Sequence, residues 1–210
     1  MKELFFLSQN TSVIGIEEKI IPILNETSKI QGLRYIPNFI DKVEMQHLID
    51  SINSENWCND LKRRVQHYGY KYDYRARSID KSMKIGILLD WALALAQRLL
   101  TENYIDVLPD QLIINEYLVG QGISNHIDCE PCFGDIIISV SLGSNCVMDF
   151  INLITKKKIE VMLESGSLVI LSGEARHKWT HGIAARKTDM FKFKKKQITQ
   201  DFNDFQEGNH

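Results

Sequence analysis

Apolar residues follow two different spacings along the chain, and each spacing predicts a different kind of element. In the first half they recur every three or four positions, as on one face of a helix. This spacing predicts helices over residues 42–53 and 82–103, the first of them capped by Asp41. A shorter helix is indicated over residues 14–24, and a strand interrupted by proline over residues 35–40. The first half is therefore predicted to be mainly helical.

From Gln111 onward the chain changes to short alternating apolar runs that are separated by glycines. A period of two is typical of β-strands that bury one face. Helices followed by strands, without strand–helix–strand repetition, predict an α+β fold or a β-sandwich supported by helices. The predicted strands lie at residues 111–118, 134–142, 146–152, 158–163 and 167–172.

Composition narrows the class of protein. The 210 residues suffice for one self-contained domain. Lys and Arg together number 25 against 27 Asp and Glu, so the net charge of −2 excludes a polybasic nucleic-acid binder but allows a local basic patch. No apolar run approaches the roughly 18 residues of a membrane span, and the N-terminus makes a poor secretion signal. A soluble, cytoplasmic protein with no membrane partner is the expectation.

The cysteines are few and unevenly spaced, which argues against a disulfide framework and favours reduced thiols. Only Cys129 and Cys132 form a Cys-x-x-Cys pair, and Cys58 and Cys146 stand alone. The pair could indicate zinc or redox chemistry, but a structural zinc site needs four ligands and no second pair lies at a suitable spacing. We therefore expect the thiols to be incidental to function.

The candidate chemistry centres on His126 and Asp128. In an extended backbone, residues two apart point to the same side, so the imidazole and the carboxylate can meet at one point. A third ligand, His177 or His181, lies about fifty residues downstream. Two histidines and one carboxylate form the set that binds non-haem Fe(II) while leaving coordination positions open. By itself His-x-Asp is a weak signal, and His126 could equally be a surface histidine bonded to a neighbouring carboxylate.

Several blocks of sequence, in order, resemble one enzyme family. From Gly32 to about Asp189 the chain resembles the AlkB family of 2-oxoglutarate- and Fe(II)-dependent dioxygenases, and most closely the oxygenase domain of its tRNA-modifying homologues. The resemblance implies a double-stranded β-helix, which is a jelly-roll sandwich, with supporting N-terminal helices. The blocks are 63–70, 108–112, 115–128, 139–144, 147–150, 172–176 and 179–183.

The same resemblance divides the chain into four parts. An N-terminal extension is followed by a helical support with the nucleotide-recognition region, then by the dioxygenase core and a polar tail. These parts are residues 1–31, 32–107, 108–196 and 197–210.

The resemblance also implies roles for single residues. It makes His126, Asp128 and His181 the catalytic metal ligands and excludes His177. Asn115 and Tyr117 match contacts to 2-oxoglutarate, and their spacing puts both on one sheet face. The implied substrate contacts are Arg63, Arg64, Tyr68, Tyr70, Glu130 and Arg176.

The segment from Arg63 to Tyr72 interleaves basic and aromatic residues. Such a pattern suits phosphate binding and base stacking. It is also compatible with a solvated hairpin whose tyrosines pack on its own base. Nucleic-acid recognition is therefore assigned to this segment by resemblance, with the hairpin as the alternative.

The C-terminal segment departs from the family pattern. Family members carry two arginines six residues apart that bind the carboxylates of 2-oxoglutarate, whereas Met190 and Lys196 occupy those positions here and no arginine follows Arg186. Lys196 is the predicted co-substrate contact, but lysine lacks the planar fork that grips a carboxylate. Two alternatives to a co-substrate contact are that the lysine-rich segment is a solvated tail, or that the sequence is altered near residue 190.

Taken together, these features imply an enzyme that uses Fe(II), 2-oxoglutarate and O2. It is expected to demethylate or hydroxylate a modified nucleobase in DNA or RNA, tRNA included. The alternative is a catalytically impaired module that binds nucleic acid or protein on the same fold, for which the Met190–Lys196 segment is the argument.

Overall fold

Two β-sheets and four α-helices make up the part of the chain that the structure describes, which is residues 3–9, 20–59 and 61–187 of a computed structural model. Met190 and Lys196 lie outside these residues. The helices are α1 (Ile20–Thr27), α2 (Lys42–Asn53), α3 (Asp90–Thr101) and α4 (Gly173–His177). The strands are β1 (Glu3–Gln9), β2 (Leu33–Ile36), β3 (Arg64–Tyr68), β4 (Gln111–Glu116), β5 (Ile123–His126), β6 (Ile137–Gly143), β7 (Cys146–Asn152), β8 (Lys158–Leu163), β9 (Leu168–Leu171) and β10 (Trp179–Ile183).

The two sheets differ in size and in strand direction. The larger has six strands in the order β2-β9-β6-β1-β4-β3, and the smaller has four in the order β5-β10-β7-β8. Every described pairing is antiparallel except those of β1, which runs parallel to both β4 and β6. The α+β class predicted from the sequence is confirmed.

The first strand is the largest difference from the sequence-based expectation, which gave residues 1–30 no strand. Its apolar run from Leu4 to Leu7 shows no alternation. A short continuous apolar run fits a strand covered on both faces but does not differ from a buried helix segment by period. Pairing with strands more than a hundred residues away places this segment in the sheet.

Alternating side chains of the larger sheet build two separate cores. On β4, Ile113 faces the smaller sheet, while Leu112 and Ile114 face the helices. Phe150 and Val161 of the smaller sheet complete the first core. Because both faces of the larger sheet are covered, β4 is buried along nearly its whole length.

Helix α2 has the predicted bounds, and its predicted cap is confirmed. Oδ1 of Asp41 accepts hydrogen bonds from the backbone N–H groups of Val43 and Glu44, each at 2.8 Å. These bonds satisfy donors that have no partner within the helix.

Helix α3 is shorter than the predicted 82–103. It begins at Asp90, after an irregular segment that contains one turn of 3-10 helix at Lys81–Met83. Ile85 is 54% exposed, so it does not belong to the buried stripe that its spacing suggested, and Ile87, within the predicted span, is 77% exposed. Within the described ranges, no helix has the length and apolar character required to cross a bilayer.

Candidate metal centre

Three side chains from the smaller sheet and the loop after β5 converge on one point. His126 ends β5 and lies directly opposite His181 in the antiparallel pairing of β5 with β10. Asp128 follows two residues after His126, beyond the end of the strand. Its Oδ1 lies 3.5 Å from His126 Nε2, and its Oδ2 lies 3.4 Å from His181 Nε2. One ligand atom from each residue falls within 4.8 Å of the others.

Gly182 allows the two histidine-bearing strands to approach. A Cβ at this position would lie 2.7 Å from Asn125 Oδ1 and 2.8 Å from both Asn125 N and Ile123 O. Those are β5 atoms, so any side chain here would push β5 away from β10. The absence of a side chain next to His181 therefore helps set the separation of the two imidazoles.

The electrostatics of the three residues suit a divalent cation. Burial lowers the pKa of His181 to about 4, which keeps its imidazole neutral and able to donate a lone pair. Burial alone would raise the pKa of Asp128, but the electrostatic interaction with the His181 ring and the hydrogen bond with His126 outweigh it and lower that pKa. For His126, the bond to Asp128 and the charge of that carboxylate exceed the opposite effect of burial and raise the pKa.

The buried carboxylate is only partly satisfied by protein groups. Asp128 is 6% exposed, and its Oδ2 makes no hydrogen bond to any residue that the structure describes. A buried charge without a full set of partners is costly unless it is paired or binds a metal. Two imidazoles and one carboxylate on one face therefore fit Fe(II), with the other positions open.

Arg176 lies beneath this site. It is 2% exposed, and it donates from Nη1 to the backbone oxygen of Asp128 at 3.0 Å and from Nε to that of Gly134 at 3.1 Å. The sequence predicted a substrate contact here. The structure instead places the guanidinium against the chain that carries the metal ligand.

A cavity of about 290 Å³ opens beside the metal ligands, between the two sheets. The predicted co-substrate contacts Asn115 and Tyr117 both line it and are 3% and 2% exposed. Burial raises the pKa of Tyr117 to about 12, so its hydroxyl stays protonated and able to donate. Arg63 reaches the same cavity, where its Nε donates to Asn115 Oδ1 at 2.6 Å. The structure thus brings these three residues together with the metal ligands.

Two other predicted substrate contacts lie on the opposite face of the larger sheet. Arg64 pairs with Glu116 and stacks over the ring of Trp57, with 4.1 Å from its Cζ to the ring centroid. Tyr68 packs edge-on against Trp91 of α3, with ring centroids 6.0 Å apart. Side chains alternate between the two faces along β3, so Arg64 and Tyr68 point to the helices and not to the cavity.

Two further predicted contacts, Tyr70 and Glu130, are also outside the cavity lining. Tyr70 lies in the segment after β3, where its backbone oxygen accepts from Gln111. Glu130 is exposed, and its Oε1 lies 2.7 Å from His177 Nδ1. That contact engages His177 at the end of α4, outside the metal-ligating group. Lys196 lies beyond the described residues.

Two residues that line the cavity were not singled out from the sequence. Tyr74 contacts Tyr72 with ring centroids 4.9 Å apart, and Arg77 donates from Nη2 to the backbone oxygen of Ile127 at 3.3 Å. The signal for Tyr74 was the alternation of tyrosines at 68, 70 and 72, which continues to 74. Arg77 had no such signal.

The expectation of reduced thiols is wrong for Cys129 and Cys132, which form a disulfide. A tight turn brings them together, because the backbone N–H groups of Cys132 and Phe133 both donate to the backbone oxygen of Cys129. Their Cα atoms are 5.2 Å apart, within the usual range for a bridge. Cys58 and Cys146 form no disulfide.

Comparison with known proteins assigns the family. The model of the 2OG-Fe(II) oxygenase superfamily matches residues 54–201. The chain belongs to this superfamily. The match includes all three metal ligands, and the family uses Fe(II) and 2-oxoglutarate, for which these ligands are suited.

Curated relatives place this oxygenase in the AlkB family. It is 37% identical to the mouse tRNA (carboxymethyluridine(34)-5-O)-methyltransferase ALKBH8 over 97% of this chain and 34% of that protein. It is 34% identical to the dioxygenase AlkB of Salmonella typhimurium over 60% of this chain and 58% of that one. The chain spans about a third of the length of the first relatives.

A solved structure confirms the predicted fold of this AlkB-family chain. The structure of OsALKBH1 superposes with a TM-score of 0.60 at 15% identity, covering 73% of this chain and 85% of the other. At this identity the likeness bears on the fold alone. The two facing sheets are therefore the predicted double-stranded β-helix.

Proposed function

We propose that this AlkB-family oxygenase oxidises a modified nucleobase in a nucleic acid, either removing an N-methyl group or hydroxylating a base substituent. The observation that carries this proposal is a basic and aromatic segment that reaches the cavity, where Arg63, Tyr72, Tyr74 and Arg77 line it. Residues 61–84 contain eight Lys or Arg against two Asp, although the whole chain has a net charge of −2. Such a local patch attracts phosphates without help from the protein as a whole.

The aromatic residues at the same rim favour a base as the group that enters. Tyr72 and Tyr74, which are half-buried, line the cavity together with Arg77, which is exposed. Aromatic rings that line a cavity provide surfaces on which an unpaired base can stack. Because the metal ligands lie in a cavity between the two sheets, a base inside a duplex would have to leave its stack to reach them.

The chemistry divides between the bound groups and the chain. Fe(II) with 2-oxoglutarate and O2 supplies the oxidising power when bound. His126, Asp128 and His181 would hold the metal on one face, and Asn115 and Tyr117 would orient the co-substrate. Buried apolar residues exclude water from the reacting atoms. These are Ile113, Phe133, Met148, Val169 and Leu171.

The product depends on which carbon is oxidised. A hydroxylated N-methyl group releases formaldehyde and leaves the unmodified base, whereas a hydroxylated carbon substituent is itself the end product. The relatives' names include a tRNA methyltransferase and, in Arabidopsis thaliana, an alkylated DNA repair protein that is 33% identical over 83% of this chain and 57% of that protein. We therefore propose modified tRNA as the first substrate to test, beside methylated RNA and methylated DNA.

The test offers these three substrates in parallel to the full chain with Fe(II), 2-oxoglutarate and O2. Succinate and the modified nucleosides are measured by mass spectrometry. We expect succinate to form in step with loss or hydroxylation of one modified base. No succinate with any substrate, together with no effect of 2-oxoglutarate on thermal stability in Mn(II), would reject the enzyme and favour a binding module.

Two matched variants test the metal ligands in the same assay. Asp128→Ala should abolish metal binding and turnover because it removes the shared carboxylate. His177→Ala should retain both, since His177 contacts Glu130 and lies outside the ligand group. The reverse result would show that the ligand assignment is wrong.

A further inference from the structure

We propose that Arg63 binds the carboxylate of 2-oxoglutarate that does not chelate the metal. The inference rests on the proposed function, because it presupposes that the cavity takes this co-substrate. It assigns Arg63 to the co-substrate, whereas the sequence pattern assigned it to the nucleic acid. The starting point is the position of its guanidinium, which lies in the cavity with the metal ligands.

The neighbours of Arg63 are the two residues that the family resemblance connects with 2-oxoglutarate. Its Nε donates to Asn115 Oδ1 at 2.6 Å, and its Cζ lies 5.6 Å from the centroid of the Tyr117 ring. The ring centroid of Tyr74 also lies 5.5 Å from this Cζ. Two rings and one amide thus hold the guanidinium beside the predicted co-substrate contacts.

The outer nitrogens of this guanidinium are available to a ligand. Of its five N–H donors, the Nε–H is used by Asn115, and no acidic side chain in the described ranges pairs with Arg63. The remaining planar donors match the two oxygens of a carboxylate. A partly buried cation without an anionic partner is expected to favour an anionic ligand.

Charge balance in the cavity gives a second reason. A divalent metal and the Asp128 carboxylate leave one positive charge, whereas 2-oxoglutarate carries two negative charges. The chelating carboxylate is balanced at the metal, so the other carboxylate needs a cation of its own. Arg63 supplies that cation from within the cavity lining.

Neighbouring arginines differ from Arg63 in position or exposure. Arg64 pairs with Glu116 on the opposite face of the sheet. Arg77 lines the same cavity but is exposed, and its Nη2 donates to the backbone oxygen of Ile127. Arg63 therefore provides the planar, bidentate donor that the sequence lacks at positions 190 and 196.

The experiment measures equilibrium binding, with Mn(II) in place of Fe(II) so that no turnover occurs. The full chain and its Arg63→Gln, Arg63→Lys and Arg64→Gln variants are titrated calorimetrically with 2-oxoglutarate. They are also titrated with its methyl ester at the far carboxylate, in which that group is uncharged. Arg64→Gln removes the same charge at the next position but on the far face of the sheet, so it is the matched control.

We expect Arg63→Gln to weaken binding of 2-oxoglutarate by about 10- to 100-fold, the value of one charge-assisted bidentate contact. The affinity of Arg63→Lys for 2-oxoglutarate should fall between those of the unsubstituted protein and Arg63→Gln, because lysine keeps the charge but lacks the planar fork. Arg64→Gln should bind 2-oxoglutarate as tightly as the unsubstituted protein. In the unsubstituted protein the ester should bind as weakly as 2-oxoglutarate binds to Arg63→Gln. Mn(II) affinity reports whether each variant keeps its fold.

Three results would overturn the inference. The first is unchanged 2-oxoglutarate binding by Arg63→Gln, and the second is an ester that binds the unsubstituted protein as tightly as 2-oxoglutarate. The third is an additive effect of the substitution and the ester, since groups in direct contact must be coupled. Failure of the unsubstituted protein to bind 2-oxoglutarate would instead reject the proposed function itself, and this inference with it.

Discussion

Arg176 offers the sharpest test of how the fold supports the metal centre. Its buried guanidinium donates to the backbone oxygens of Asp128 and Gly134, and no acidic side chain forms an ion pair with it in the described part of the chain. Arg176→Met removes both hydrogen bonds while keeping much of the side-chain volume. Asp128 would then lose the bond that fixes its backbone.

The expected loss of stability in Arg176→Met follows from the two backbone carbonyl groups that lose their donor. Each buried acceptor left without a donor costs about 1–3 kcal/mol, which gives about 2–6 kcal/mol for the pair. Removing a buried charge also recovers part of its desolvation penalty, so the lower end, about 2 kcal/mol, is expected. For a chain of this size that corresponds to a fall of about 4–8 °C in Tm. Loss of a group that orients a metal ligand typically weakens metal binding by about 10- to 100-fold.

The assay combines thermal denaturation without metal and calorimetric titration with Mn(II). Lys178→Met is the matched control, because Lys178 is exposed, pairs with Glu174 within one helical turn and does not contact the site. It should change neither Tm nor Mn(II) affinity appreciably. If Arg176→Met lowers Tm but leaves Mn(II) affinity within about twofold of the unsubstituted protein, the bond to Asp128 does not position the ligand and the reasoning fails.

Three further predictions concern the sheet, the ligands and a helix cap. Gly182→Ala should weaken Mn(II) binding by about tenfold or more, because overpacking costs about 1–3 kcal/mol and separates β5 from β10. Unchanged Mn(II) affinity would contradict this steric role of Gly182. Mn(II) affinity should fall by about tenfold per pH unit below the raised pKa of His126, since one imidazole must lose its proton to bind metal. His181, with its pKa near 4, adds no second proton above that pH, so titrations that show a two-proton slope would refute the assignment. Asp41→Ala should destabilise the fold by about 1 kcal/mol in urea denaturation through loss of the α2 cap. Asp50→Ala, further along α2, removes only an exposed side-chain bond from Gln46 and should have little effect.

Much of the fold was predictable because local patterns decide it. The bounds of α2, β7 and β8 follow from apolar spacing alone, and the Asp41 cap follows from the identity of one residue. Strand β1 was missed because a continuous apolar run has no period, and only pairing with β4 and β6 places it. The length of α3 was overestimated because apolar spacing does not reveal that Ile85 and Ile87 face solvent.

The candidate site divides in the same way. Spacing of two residues predicted that His126 and Asp128 would share a point and that Asn115 and Tyr117 would share a face, and the structure brings all four to one cavity. The disulfide between Cys129 and Cys132 was not predicted, because it depends on a turn that composition does not show.

The sequence by itself determined the chemistry of the ligands, the bounds of α2, β7 and β8, and a local excess of basic residues in a chain whose net charge is −2. Tertiary structure decided which distant groups complete the site. Residue spacing alone left His177 and His181 open, and the family resemblance favoured His181. Strand pairing gives the physical reason, because it sets His181 opposite His126, while His177 ends a short helix. Tertiary structure also separates Arg63 from Arg64. Side chains of adjacent residues in an extended chain point to opposite faces, so Arg63 points to the cavity and Arg64 points to the helices. Contacts between residues far apart in the chain depend on register and on which face of a strand is covered, and neither is encoded in a local pattern.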